Sequence, residues 1–170
     1  MMKKILSVIL TLTLAVPFFV FSAKADENFS VEAKSAILME AESGTVLFEQ
    51  NADEALPPAS VTKVMTLLLV MEAVENGTLK LTDMIRTSTN ASSMGGSQIY
   101  LKEGEELSAE DMMKSVVISS ANDAAVALAE HLSGSEELFV KKMNEKAAEL
   151  GMKIQILKIQ TVLTIRFKIM

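Results

Sequence analysis

Two short constellations in the sequence carry the residue types that nucleophilic catalysis needs. Ser60-Val61-Thr62-Lys63 is an S-x-x-K element, and Ser120-Ala121-Asn122 is an S-x-N element. Three residues is nearly one helical turn, so on a helix the Ser60 hydroxyl and the Lys63 amine share a face. A serine hydroxyl is a weak nucleophile until a base takes its proton. A lysine serves as that base once burial lowers its pKa. Lys63 lies among Val61, Val64 and Met65, with no acid nearby in sequence. A helix start at Ser60 also favours developing negative charge. In the second element, Ser120 can relay a proton, and Asn122 can hydrogen-bond an amide and orient the lysine.

The same residues also fit plain structural roles. Ser60 is a good N-cap, and a first-turn lysine is usually solvated. Asn122 is equally suited to cap a following helix, with Asp123 in its first turn and Ser120 satisfying the turn before it. What favours chemistry is the setting: Pro57-Pro58-Ala59 precedes Ser60, and Lys63 is the lone lysine in an apolar stretch.

The elements that must position these residues can be read from pattern. Ser35–Glu40 and Thr45–Glu49 are short apolar runs around Ala41-Glu42-Ser43-Gly44, a β-hairpin with Gly44 supplying the positive φ of the turn. Residues 51–56 form a loop. Ala59–Asn76 carries apolar residues at Val61, Val64, Met65, Leu68, Leu69, Met71 and Val74 and predicts a largely buried helix ended by Gly77. Residues 77–107 read as irregular or weakly stranded, with a flexible segment at 92–97 and an apolar run at Ile99-Tyr100-Leu101. Ser108-Ala109-Glu110-Asp111 is a capping box that opens a helix through Ile118. An Ala-rich helix follows over 122–132. A third spans 135–150, with Leu138, Phe139, Met143, Ala147 and Leu150 on one face and Gly151 at C′.

Composition narrows the classes. The chain has 170 residues, 49% hydrophobic and 22% charged, with no Cys. That balance fits one folded domain and excludes a disordered chain. Without Cys there is no disulfide framework, thiolate nucleophile or Cys-based zinc site. The single His, His131, excludes a His-rich metal site. A net charge of −6 argues against nucleic acid as a partner. Residues 1–25 read as a signal peptide: Met1-Met2-Lys3-Lys4, an apolar run from Ile5 to Phe21 broken by Pro17, and Ala23-Lys24-Ala25 for cleavage. That run falls short of the roughly 20 apolar residues of a spanning helix. Loss of its three lysines takes the net charge from −6 to −9.

Together these stretches resemble the serine D-alanyl-D-alanine carboxypeptidases, the low-molecular-mass penicillin-binding proteins. The resemblance is carried by residues 36–54, by Pro-Pro-Ala-Ser-Val-Thr-Lys-Val-Met-Thr at 57–66, by 95–105, by Ser-Ser-Ala-Asn-Asp-Ala-Ala-Val-Ala-Leu-Ala-Glu at 119–130, and by Leu-Gly-Met at 150–152. It implies an α/β fold of the β-lactamase/transpeptidase-like type, here a β-hairpin plus helical subdomain over 26–152 with the later sheet strands missing. It implies that Ser60 attacks the carbonyl between the last two D-alanines of a peptidoglycan stem peptide. Lys63 would take the proton, Ser120 relay one to the leaving amine, and Asn122 bind the substrate. The Ser60 N–H would be half of an oxyanion hole. β-Lactams would acylate the same serine, and no cofactor is needed. The expected location is extracytoplasmic, in the wall or on the outer face of the membrane. A serine β-lactamase and a non-catalytic exported wall-binding fragment are the alternatives.

The sequence departs from that family in two ways. Ala121 stands where glycine is more usual, and the later K-T-G element is absent. Beyond Gly151 the charge balance also changes: residues 26–151 carry a net −13, whereas 152–170 carry four basic residues and no acid. Leu163–Ile169 alternates like a strand, and a basic tail of this kind also suits peripheral membrane contact. Back-translation with A/T-rich codons from Lys153, followed by one inserted A, gives K-N-T-N-F-K-N-S-N-G, text resembling the family's continuation. Residues 153–170 are therefore expected to be an aberrant, frameshifted tail, and the chain as written to turn over weakly or not at all. Reading the gene across the codons for Leu150–Gln160 checks this. An extra base is expected; a sequence that stands as written, with robust turnover abolished by Ser60→Ala, would contradict it.

Overall fold

A computed structural model describes residues 29–54 and 56–152. The expected leader over 1–25 and the aberrant tail over 153–170 lie outside them. The chain divides into two compact units, Met1–Ala33 and Lys34–Met170. Residues 29–33 of the first are a lead-in whose Ala33 N–H donates to the Val31 carbonyl at 2.8 Å.

The second unit opens with the expected hairpin, β1 (Ala36–Met39) paired antiparallel with β2 (Val46–Gln50). Leu38 faces Phe48 and Met39 faces Val46, so Leu47 is an extra residue in β2 and bends the ladder. At the turn, Gly44 takes φ +69. The Glu40 carboxylate accepts from the N–H groups of Glu42 and Ser43 at 3.0 and 2.6 Å. The Ser43 hydroxyl, then these N–H groups, hold the exposed Glu40 carboxyl down at about 2.

A 3₁₀ turn, Ala59–Thr62, leads into α1 (Lys63–Glu75), closed by Asn76 and by Gly77 at φ +77. The helix is buried on one face only, through Met65, Thr66, Val70 and Ala73. Val61, Val64, Leu68 and Met71 are exposed, which corrects the expectation of a largely buried helix. These four recur at intervals of three and four residues and so form one stripe. Among the described residues each sheet has two strands, and none covers that stripe.

Residues 77–107 are more regular than expected. β3 (Met84–Arg86) pairs antiparallel with β4 (Glu106–Ser108), and a single helical turn, α2 (Thr89–Ser92), is capped by the Ser88 hydroxyl. Strands this short lack the alternation that a sequence pattern needs; Ile85 alone points inward, between exposed Met84 and Arg86.

α3 (Ala109–Ser119) starts at the expected capping box, where the Ser108 hydroxyl accepts from the Asp111 N–H at 3.1 Å. α4 (Asn122–Ser133) is the centre of the fold. Ala124 through Ala129 are all fully buried, and α1, α2, α3, β3 and α5 pack around it. Alanine at four of those six positions lets neighbours approach from every side. α5 (Glu136–Glu149) is capped by Ser135, and Gly151 follows at φ +75. Its inner face is Phe139, Met143 and Ala147. Leu138 and Leu150 lie outside it, a correction to the expected stripe: Leu138 is one residue, or about 100°, round from Phe139, and Leu150 stands at the C-cap beyond the last helical residue.

Phe139 is 1% exposed and Leu138 54%. Phe139→Ala should therefore cost about 3–5 kcal/mol. Leu138→Ala should stay within about 0.5 kcal/mol of the parent. Denaturant unfolding of the two variants checks both.

Candidate active site

Ser60 lies in the 3₁₀ turn, directly after Ala59, whose φ of +49 is left-handed. A non-glycine residue there is strained, and the rigid Pro57-Pro58 pair precedes it. The turn leaves Ser60 exposed and places Lys63 as the first residue of α1. Lys63 is only 7% exposed. Its Nζ donates to the Ser60 Oγ at 3.5 Å, the i,i+3 approach that the S-x-x-K spacing predicts.

The same amine donates to the Ser120 Oγ at 3.4 Å, across 57 residues of sequence. Ser120 ends α3 in the left-handed region at φ +53, and fully buried Ala121 follows as the N-cap of α4. The reversal between the two helices turns the Ser120 hydroxyl toward Lys63. Strained positions thus flank both serine elements, Ala59 next to one and Ser120 within the other, as is common where a fold holds reacting groups in place. Both contacts are long for hydrogen bonds, a common condition of a site without substrate.

Burial alone pushes the Lys63 amine below the ordinary lysine range. Taking an ammonium out of water disfavours its charged form, and no carboxylate near it opposes the shift. An amine so placed can exist neutral, accept the Ser60 proton, and pass a proton to or from Ser120.

Asn122 does not cap α4; Ala121 stands at that position, and no side chain bonds there. Its amide Nδ2 instead donates to the Gly95 carbonyl at 2.6 Å, and its N–H donates to the Ser97 carbonyl at 2.8 Å. Residues 92–97, expected to be flexible, are thereby tied to the start of α4. Gly96 takes φ +77, and a Cβ there would stand 3.0 Å from Asn122 Nδ2, so glycine permits the approach. Asp123 escaped the sequence reading, which took it for a first-turn acid. It is fully buried and accepts from the N–H groups of Ile99 and Leu101. Adjacency to the S-x-N element was its only signal. The structure therefore brings Ser60, Lys63 and Ser120 into one cluster. Asn122 is two residues from Ser120, its amide turned to the Gly95 carbonyl. His131 is in the last turn of α4, as expected.

Comparison with known proteins agrees with this arrangement. The model of the D-alanyl-D-alanine carboxypeptidase family, Peptidase_S11, matches residues 20–164. The chain is 51% identical over 168 residues to the D-alanyl-D-alanine carboxypeptidase DacF of Bacillus subtilis (strain 168), covering 96% of this chain and 43% of that protein. The crystal structure of the D-alanyl-D-alanine carboxypeptidase DacD from Francisella tularensis superposes with a TM-score of 0.72 at 34% identity, over 81% of this chain and 35% of that one. Penicillin-binding protein D2 from Listeria monocytogenes, solved in its ampicillin-bound form, matches at 32% identity with a TM-score of 0.68, over 78% of this chain and 54% of that one. The chain thus spans less than half the length of the first two relatives. The fold is that of the penicillin-binding and transpeptidase proteins, and the chain belongs to the D-alanyl-D-alanine carboxypeptidase family.

Proposed function

We propose that this chain carries the nucleophile, base and proton relay of a serine-type D-Ala-D-Ala carboxypeptidase that trims peptidoglycan stem peptides outside the cytoplasm. The observation that carries the reading is the position of the Lys63 amine, buried and within 3.5 Å of both the Ser60 and Ser120 hydroxyls. Neutral Lys63 takes the Ser60 proton as Oγ attacks the carbonyl between the two terminal D-alanines. Collapse of the tetrahedral intermediate breaks the C–N bond. The proton on Lys63 reaches the leaving amine through Ser120, D-alanine departs, and water opens the ester to restore Ser60. The Ser60 N–H is one donor to the oxyanion. Asn122 contacts the substrate's amide. A β-lactam follows the same first steps and stays on Ser60 as an acyl adduct. The leader-like residues 1–25 support export, and a wall peptide is met on that side of the membrane.

Intact-mass analysis and peptide mapping of the chain with a labelled penicillin test this. A slowly formed adduct, located at Ser60 and lost in Ser60→Ala, is expected. Absence of an adduct, or one that survives Ser60→Ala, would overturn the reading. Lys63→Ala should slow acylation about 100-fold or more.

The lowered pKa of Lys63 sets the sign of the pH dependence. Acylation needs the neutral amine, so its rate should rise with pH through a pKa below the ordinary lysine value and then level off. Lys63→Arg should be inactive at every pH, because a guanidinium keeps its proton. A profile still rising through the ordinary lysine range would contradict this.

A further inference from the structure

The segment from Gly95 to Leu101 is tied to the first two residues of α4 at every second position. The carbonyls of Gly95 and Ser97 accept from Asn122, through Nδ2 at 2.6 Å and the N–H at 2.8 Å. The N–H groups of Ile99 and Leu101 donate to Asp123 Oδ2 at 3.1 and 3.0 Å. Asp123 Oδ1 also accepts from the Ala124 N–H at 2.9 Å. Backbone N–H groups converging on one carboxylate make a concavity of the kind that usually receives an anion. Here the anion is the protein's own. Tyr100, between the two donors, is held at φ +62 while its side chain is 78% exposed. A bulky residue does not take that conformation for its own packing when it packs against so little. The carboxylate imposes it.

Asp123 touches the far end of this strap, and Asn122 touches the near end. The near end is what fixes the Asn122 amide: one Nδ2 hydrogen goes to the Gly95 carbonyl, which leaves the second Nδ2 hydrogen to donate and Oδ1 to accept. We propose that Asp123 is a positioning residue for Asn122, acting through the 95–101 strap so that its side-chain amide is held in place for an amide group of the substrate. This rests on the carboxypeptidase reading above for the identity of the substrate, and on the hydrogen-bond geometry for everything else. A shift of the strap by a fraction of an ångström rotates the amide, and misplacement of about 1 Å at such a group costs about 100-fold in rate.

The test uses the full chain, isotopically labelled, with two variants. Asp123→Asn puts amide hydrogens where the Ile99 or Leu101 N–H now points. Tyr100→Val loosens the strap from its exposed side, because a β-branched residue resists a positive φ, and it leaves the core untouched. In both, exchange of the Ile99 and Leu101 amides should rise about tenfold or more. The Asn122 side-chain NH₂ resonances should lose their hydrogen-bonded shift. Penicillin acylation at Ser60 should slow by about tenfold or more. Tyr100→Val should keep its unfolding midpoint near that of the parent, and it decides the matter if Asp123→Asn does not fold. Faster exchange in the strap with the Asn122 resonances and acylation unchanged would overturn the proposal, because Asp123 would then serve the loop alone. A strap that exchanges no faster in either variant would overturn it as well. If the parent chain takes no penicillin adduct, the carboxypeptidase reading falls, and the Asn122 resonances still decide the positioning claim.

Discussion

Everything functional in this fold turns on one buried amine. Lys63 must be dry enough to lose its proton more readily than an exposed lysine and still reach two hydroxyls. Burying a lone ammonium is costly, and the protein meets that cost by letting the group shift toward its neutral form instead of supplying a carboxylate partner. An acid beside it would give a stable ion pair and a useless base. The arrangement also needs an opening on one side only. Ser60, in the 3₁₀ turn, supplies it by standing exposed while Thr62 and Lys63, two and three residues on, are buried.

Bringing Ser120 to the same amine is the work of α4 and the turn before it. The helix is surrounded on all sides, and its alanines set how closely α1 and α3 approach. The α3–α4 reversal is tight: Ser120 is left-handed and Ala121 is fully buried. A larger residue at 121 would push the two helices apart and carry the Ser120 hydroxyl away from Lys63. The first turn of α4 then reaches outward through Asn122 and Asp123 to hold the 95–101 strap. One helix thereby sets the Ser120 hydroxyl, the Asn122 amide and the segment beside it. The exposed apolar stripe of α1 is the converse case, a face with the composition of a core and, among the described residues, no cover.

Much of this was legible in the sequence, for definite reasons. The S-x-x-K spacing predicts a shared face, and the amine and hydroxyl lie 3.5 Å apart. Helix ends were readable where a side chain or a glycine marks them, as at Ser108, Ser135, Gly77 and Gly151. The β3–β4 pair was not, since three-residue strands are defined by their partner and not by their own pattern. A cap was the plain alternative for Asn122, because local chemistry favours one; the structure gives its amide to Gly95 instead, a contact across 27 residues that no local rule anticipates. Asp123 was hidden for the same reason, its partners lying 22 and 24 residues away. Burial of α1 was overread, because an apolar residue on a helix says what the position can pack against and not whether that partner is at hand.

The most direct test of the account is a titration of Lys63 itself, followed by the NMR shifts of its side-chain ε-methylene and ζ-amine in the intact chain. The account predicts a midpoint below the ordinary lysine value, with the Ser60 and Ser120 hydroxyls as neighbours and no carboxylate. A midpoint at or above that value would contradict it, because a lysine that holds its proton so firmly cannot be the base that activates Ser60.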